Sequence, residues 1–377
     1  MNPLRPAILA AAGSSRMKRA ITGFPVTAEV VHRFVAGESR ADLAPVVAEL
    51  LASGRMVSVD FLGEYTTERS MADDAVAEYL ALIDELARWR RAAGLDRDST
   101  ARPRGAMRRH VDGEAAGPRP DGSGGGNRAR QPGATTAGAA VDASRAEPGT
   151  PPRPAQSIAP VEVSVKLSAL GQSLGLTGPE IAAANLRTLC ERAQQAGVWI
   201  TVDAEDHTTT ETTESTVRAL RPDYPWLAVA TQTYLRRAEE RCRIAAAEGA
   251  RIRLCKGAYR EPESVAYQRG ADVDESYLRC LELLMAGSGY PMVATHDPVM
   301  ITAAHDLSGR NGRAPGDFEF QMLYGIRSIE QRRLVEAGHA VRVYVPYGTQ
   351  WYGYLMRRLA ERPANLGFFL RALAERR

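Results

Sequence analysis

Cysteine is scarce. Cys190, Cys242, Cys255 and Cys280 are the only four in 377 residues, and no two stand in CxxC spacing. Neither a zinc knuckle nor a disulfide framework is indicated, and a reducing compartment is expected. No apolar run approaches the roughly 18 residues that a membrane-spanning helix needs. The opening MNPLRPAILAAAGSS has a short apolar stretch behind a weakly basic start, and reads as a helical or frayed terminus rather than a signal peptide. A cytoplasmic location is expected, with peripheral contact at the inner face of a membrane left open. Charge of one sign is also lacking: a net charge of +3 on this length argues against a nucleic-acid partner. There is no GxGxxG after the first strand pattern, no P-loop, no GxSxG elbow, no HExxH and no Ser/His/Asp order. A Rossmann, NTPase, serine-hydrolase or zincin reading therefore has no support.

What remains is ordinary globular composition, 44% hydrophobic and 25% charged. Residues 101–156 depart from it. They hold no Leu, Ile or aromatic residue and carry nine arginines against five acids amid Gly, Pro and Ala. Such a segment cannot bury enough apolar surface to offset its ordering entropy, so a disordered insertion is expected. Its arginines admit one non-enzymatic reading, the binding of an anionic partner, beside the simpler reading of a surface loop.

On either side of the insertion, short β-branched runs alternate with helical patterns. MVSVD (56–60), VEVSVK (161–166), WITVDAE (199–205), LAVATQ (227–232), RIRLCK (251–256), PMVATH (291–296), FEFQ (318–321) and VRVYV (341–345) read as eight strands. Helices are expected over 71–93, 177–197 and 232–249. This rhythm predicts an α/β fold, a (β/α)8 TIM-type barrel over 56–366. It would carry a helical segment over 1–55, a C-terminal helix over the barrel mouth and a helical tail over 367–377. Within the strands, Val161, Val163 and Val165 share one face while Glu162, Ser164 and Lys166 share the other, and the remaining runs divide in the same way. With helices outside, the polar faces turn inward. Lys166, Asp203, Gln232, Arg253, Lys256, Glu319 and Gln321 then converge on the C-terminal mouth, where barrel enzymes do their chemistry.

The stretch YLMRRLAERPAN (354–365) gathers Tyr354, Arg357, Arg358 and Glu361 within an arc of roughly 100° on a helix, with Leu355, Met356 and Leu359 opposite. It reads either as a solvated face with an Arg357–Glu361 pair or as a two-fork clamp for a carboxylate. Together with Lys166, Arg253 and Lys256, the two arginines make a surplus of cations at the mouth, which suits an anionic cofactor, an anionic substrate or both. Two other chemistries stay open. Lys256 is placed as a Schiff-base lysine of a barrel lyase would be, and His207 and His296 with Asp203 and Glu205 as metal ligands, although single histidines beside carboxylates more often form plain hydrogen-bonded pairs.

With these residues in view, the chain resembles the proline dehydrogenase family, flavin-dependent barrels that open proline catabolism. The resemblance runs from about residue 25 to 366 outside the insertion, through DFLGEYTT (60–67), VSVKLSALG (163–171), VDAED (202–206), RLCKGAY (253–259), ATHD (294–297), FEFQMLYG (318–325) and YVPYGTQWYGYLMRRLAERPAN (344–365). It implies FAD at the mouth, held by Gln232, Arg253, Lys256, Gly257, Ala258, Thr295 and His296. L-proline would lie among Lys166, Tyr259, Leu323, Tyr344, Tyr354, Arg357 and Arg358, with Lys166, Asp203, Tyr344, Arg357, Arg358 and Glu361 as the catalytic set. Glu64 would be a gate closing on Arg357, a membrane quinone would be the electron acceptor, and no metal is implied. Asp297 stands where the family pattern has asparagine. The aldehyde dehydrogenase portion and DNA-binding module of the long bifunctional relatives are not seen, so a monofunctional enzyme is expected.

Overall fold

The structure is a computed structural model that describes residues 31–63, 66–95 and 158–361, with side chains through Met356. Eight parallel strands close into a barrel in sequence order: β1 (Met56–Phe61), β2 (Val161–Val165), β3 (Trp199–Val202), β4 (Ala228–Gln232), β5 (Arg251–Cys255), β6 (Tyr290–Ala294), β7 (Glu319–Leu323) and β8 (Val341–Tyr347). β8 closes on β1 with Met56 opposite Arg342 and Phe61 opposite Tyr347. Helix α1 (Arg40–Ala52) precedes the barrel. The crossovers carry α2 (Arg69–Ala92), α3 (Gly178–Ala196), α4 (Thr210–Leu220), α5 (Ala238–Ala247), α6 (Gly270–Ala286), α7 (Pro298–Arg310) and α8 (Ser328–Glu336), and α9 (Trp351–Glu361) follows β8. The eightfold α/β barrel is as the strand rhythm predicts. The insertion over 101–156, the first 30 residues and the tail over 367–377 lie outside the described residues.

The alternation within the strands explains the two-sided core. Val57, Val59, Val161, Val163, Val165, Ile200, Val202, Ile252, Leu254, Val341, Val343 and Val345 are buried in one continuous apolar shell. Leu82 and Leu86 of α2, Leu186 and Leu189 of α3, and Leu281 and Leu284 of α6 belong to the same shell. Burial of that surface, at about 25 cal/mol per Å², is what drives the chain to put its charges inside the barrel rather than outside.

One helix begins later than its pattern predicts. Residues 232–237 do not join α5. Thr233 and Tyr234 donate their backbone N–H groups to Cys255 and Lys256 carbonyls, and Leu235 bridges to Ala266. The ladder with β5 is extended there at the expense of a helical turn. A second apolar cluster builds the mouth: Val31, Phe34 and Val35 pack with Leu62, Ile326, Trp351, Tyr352, Tyr354, Leu355 and Met356. Trp351 Nε1 donates to Glu38 Oε1 at 2.9 Å, so the segment before α1 anchors the start of α9.

Candidate active site

The inward faces form a stack of matched charges. Deepest lie Arg251, Arg342, Glu162 and Glu319, all essentially inaccessible. Arg342 binds Glu319 at 2.7 and 3.0 Å, and Arg251 reaches Glu162 at 3.3 Å while its guanidinium rests 3.9 Å from the centre of the Trp199 ring. Burial pushes the Glu162 carboxyl up, but Arg342, Arg253 and Arg251 together outweigh it and hold the group at about 2. Above them, Arg253 meets Gln321 Oε1 at 2.6 Å through Nε, Ser164 Oγ at 2.7 Å and Asp203 Oδ1 through Nη1, and Ser58 Oγ at 2.9 Å and Glu162 Oε1 at 2.8 Å through Nη2. A guanidinium has five N–H donors, and all five are engaged.

At the top of the stack, Lys166 Nζ binds both oxygens of Asp60 at 2.9 and 2.8 Å, and stands 3.4 Å from Asp203 Oδ2 and from Tyr344 Oη. Tyr344 donates to Asp203 Oδ2 at 2.8 Å. Burial pushes the Asp60 carboxyl up to about 6 against the pull of Lys166. Burial, with Asp203 and Asp60 nearby, also raises the Tyr344 hydroxyl well above its ordinary range, so it stays a donor. The expected surplus of cations at the mouth turns on Arg357 and Arg358, whose side chains lie outside the described residues; the cations of the stack itself are paired. Lys166, Arg251, Arg253 and Arg342 are met by Asp60, Glu162, Asp203 and Glu319, because a buried charge left without a partner costs several kcal/mol.

Over this floor opens a cavity of about 870 Å³. Lys166, Asp203, Gln232, Arg253, Lys256, Gly257, Ala258, Tyr259, Thr295, His296, Leu323, Tyr344 and Tyr354 all line it. Arg253 and Tyr344 project from the middle of β5 and β8, and the others stand at a strand end or on the loop or helix that follows, which is why residues far apart in sequence share one wall. Gly257 has φ of +103°, and a Cβ there would fall 2.3 Å from Tyr234 Cδ1, so glycine lets the loop after β5 pass against that ring. His296 Nε2 accepts from the Leu323 backbone N at 2.9 Å, which fixes its proton on Nδ1. Gln232 Oε1 is buried and has no partner among the described residues.

The side chains of Arg357, Arg358 and Glu361 lie outside the described residues, although their backbone is part of α9, and Glu64 lies outside them altogether. The four residues weighed as metal ligands do not form a group of three or more among the described residues. His207 Nδ1 meets Glu261, and Glu205 accepts from the Ser168 backbone N at 3.0 Å and from its hydroxyl. Lys256 bonds Asp297 at 2.6 Å and Asp274 at 2.6 Å. Burial lowers the pKa of its ammonium, but the two carboxylates outweigh it and hold the charge on, which disfavours the free amine that a Schiff base requires.

Two site residues were not singled out in the sequence. Asp60 closes the polar face of β1 beside Ser58, a signal present in the alternation but masked by the apolar Phe61 and Leu62 after it. Arg327 lines the cavity and donates to the His296 carbonyl at 2.6 Å. It is the one non-glycine residue at positive φ, 51°, among those described, and no local pattern announces that.

A model of the family described as proline dehydrogenase matches residues 44–371. The chain belongs to the proline dehydrogenase family. It is 36% identical over 214 residues to Proline dehydrogenase 2 of Bacillus subtilis (strain 168), across 57% of this chain and 70% of that protein. It is 39% identical over 214 residues to the proline dehydrogenase of Deinococcus radiodurans, across 56% of this chain and 69% of that one. Proline utilization A from Bdellovibrio bacteriovorus, in a crystal structure inactivated by N-propargylglycine, has a TM-score of 0.68 at 23% identity and shares the fold. That likeness covers 89% of this chain, which spans only 33% of that longer one. Membership of the proline dehydrogenase family supports the oxidation of proline in proline catabolism.

Proposed function

We propose that the protein oxidises L-proline to Δ1-pyrroline-5-carboxylate with FAD held across the barrel mouth, and passes the electrons to a membrane quinone. The observation that carries this reading is the convergence on one cavity of thirteen residues implied by the family resemblance, twelve of them within its motifs and Gln232 outside, floored by the Lys166–Asp203–Arg253 network. Its volume of about 870 Å³ sits in the upper part of the roughly 300–1,000 Å³ typical of ligand pockets, which suits a dinucleotide with a small substrate. The Gln232 carboxamide, buried and lacking a partner at Oε1, fits a ring edge that carries hydrogen-bonding nitrogens and oxygens. Gln232, Lys256, Gly257, Ala258, Thr295 and His296 would hold the cofactor. When bound, FAD supplies the acceptor for the hydride leaving proline C5.

The chain's own residues do the rest. Arg253 contributes a fixed positive charge rather than a free donor, and that charge favours electron gain at the site. Arg357 and Arg358 would hold the substrate carboxylate, with Glu361 balancing them and Glu64 closing over the mouth. Tyr259, Leu323, Tyr344 and Tyr354 would wall the pyrrolidine ring, and Lys166 would steady the floor. Asp203 or water takes the amine proton. Location at the inner face of a membrane would follow from the quinone acceptor; among the described residues no helix is long and apolar enough to cross one. The test is a visible spectrum of the purified chain before and after anaerobic L-proline. Flavin bands that bleach on addition are expected; a colourless protein, or bands that proline leaves unchanged, would overturn the reading.

A further inference from the structure

Lys256 is outnumbered. Its ammonium donates to Asp297 Oδ2 at 2.6 Å and lies 2.6 Å from Asp274 Oδ1, so two carboxylates face one cation at the cavity wall. The two aspartates are held differently. Asp297 is the N-cap of α7: its Oδ1 accepts from Val299 N at 3.0 Å, and its own backbone N donates to Thr295 Oγ1 at 3.1 Å. These bonds pin it. Asp274 stands in the second turn of α6 with its side chain 44% exposed, and Lys256 is its one hydrogen-bond or ion-pair partner among the described residues. Rotation about its own side-chain bonds carries it into water at little cost.

An ammonium has three donors, and two are occupied. An anion that enters this wall must either share Lys256 with both carboxylates, against their repulsion, or replace the one that is loosely held. We infer that Asp274 is a displaceable internal anion, occupying on Lys256 the place that a phosphate oxygen of the incoming dinucleotide takes, and turning to solvent when that ligand binds. The inference rests on the FAD reading above. On this view the free protein keeps Lys256 oriented and its charge satisfied, and affinity for the cofactor is set by competition rather than by attraction alone.

The test is equilibrium ultrafiltration of the full chain over a series of free FAD and free riboflavin concentrations, for wild type, Asp274→Asn and Asp274→Ala. Both variants are expected to bind FAD more tightly, by roughly three- to tenfold, as suits the loss of one half-exposed competing charge. Riboflavin, which has no phosphate, should bind all three proteins alike. An FAD affinity that is unchanged or weakened in the variants, or a gain of equal size for riboflavin, overturns the inference. Wild type that binds no flavin at all would instead overturn the reading on which it rests.

Discussion

Asp60 shows how a single side chain makes the site answer to pH. Its carboxyl is raised by burial from the ordinary range near 3.8 to about 6. The folded state therefore holds that proton more tightly than the unfolded chain does. The stability this contributes is fully present below about pH 4 and is lost as pH rises through about 6, a change of roughly 3 kcal/mol. Asp60→Asn removes the titration. Urea midpoints of both proteins between pH 4 and pH 7 should show the gap between them moving in the variant's favour as pH rises, and a constant gap would refute the assignment. At this scale most of the site was legible, because strand alternation alone turns Lys166, Asp203, Gln232 and Arg253 inward. Arg327 was not legible. Its place depends on a left-handed backbone residue at the end of a turn, a conformation that arginine's own preferences do not suggest.

Among the elements, α9 depends on a partner that its own sequence does not name. Its amphipathic pattern predicted a two-faced helix at the mouth, but not that residues 31–38 would pack beneath it and hold Trp351 through Glu38. Gly325, in the turn after β7, is the hinge point of that packing. It has φ of +73°, and a Cβ there would lie 1.7 Å from the Arg33 carbonyl oxygen. Gly325→Ala should cost roughly 2–4 kcal/mol, from strain in the left-handed region and from the forced retreat of residues 31–38. Chemical denaturation should show the loss, with protease cleavage near residue 33 appearing before global unfolding. A wild-type midpoint would count against this account. The late start of α5 has the same origin: residues 232–237 are helix-compatible by composition, and a neighbouring strand claims their backbone donors instead.

For the whole molecule, closure of eight strands in order followed from spacing and alternation, whereas the pairing of charges across the interior did not. Arg253 and Glu162 are 91 positions apart, and whether they meet depends on the stagger with which the barrel closes. Glu162 faces three arginines, Arg251, Arg253 and Arg342. Glu162→Gln keeps its shape and removes its charge, and should destabilise the fold by roughly 3–5 kcal/mol, since it leaves buried guanidiniums short of a counter-ion. Guanidinium unfolding midpoints measure this directly, and an unaltered midpoint would count against Glu162 as a needed counter-ion.

That interior stack also constrains how the chain can vary through descent. A neutral substitution at Glu162 strands two arginines at once, Arg251 and Arg253, and one at Glu319 strands Arg342, so drift at these positions should proceed by joint exchange with the paired sites. The barrel's hidden polar axis should therefore behave as one inherited unit, while the apolar shell around it remains free to swap Val for Ile one residue at a time.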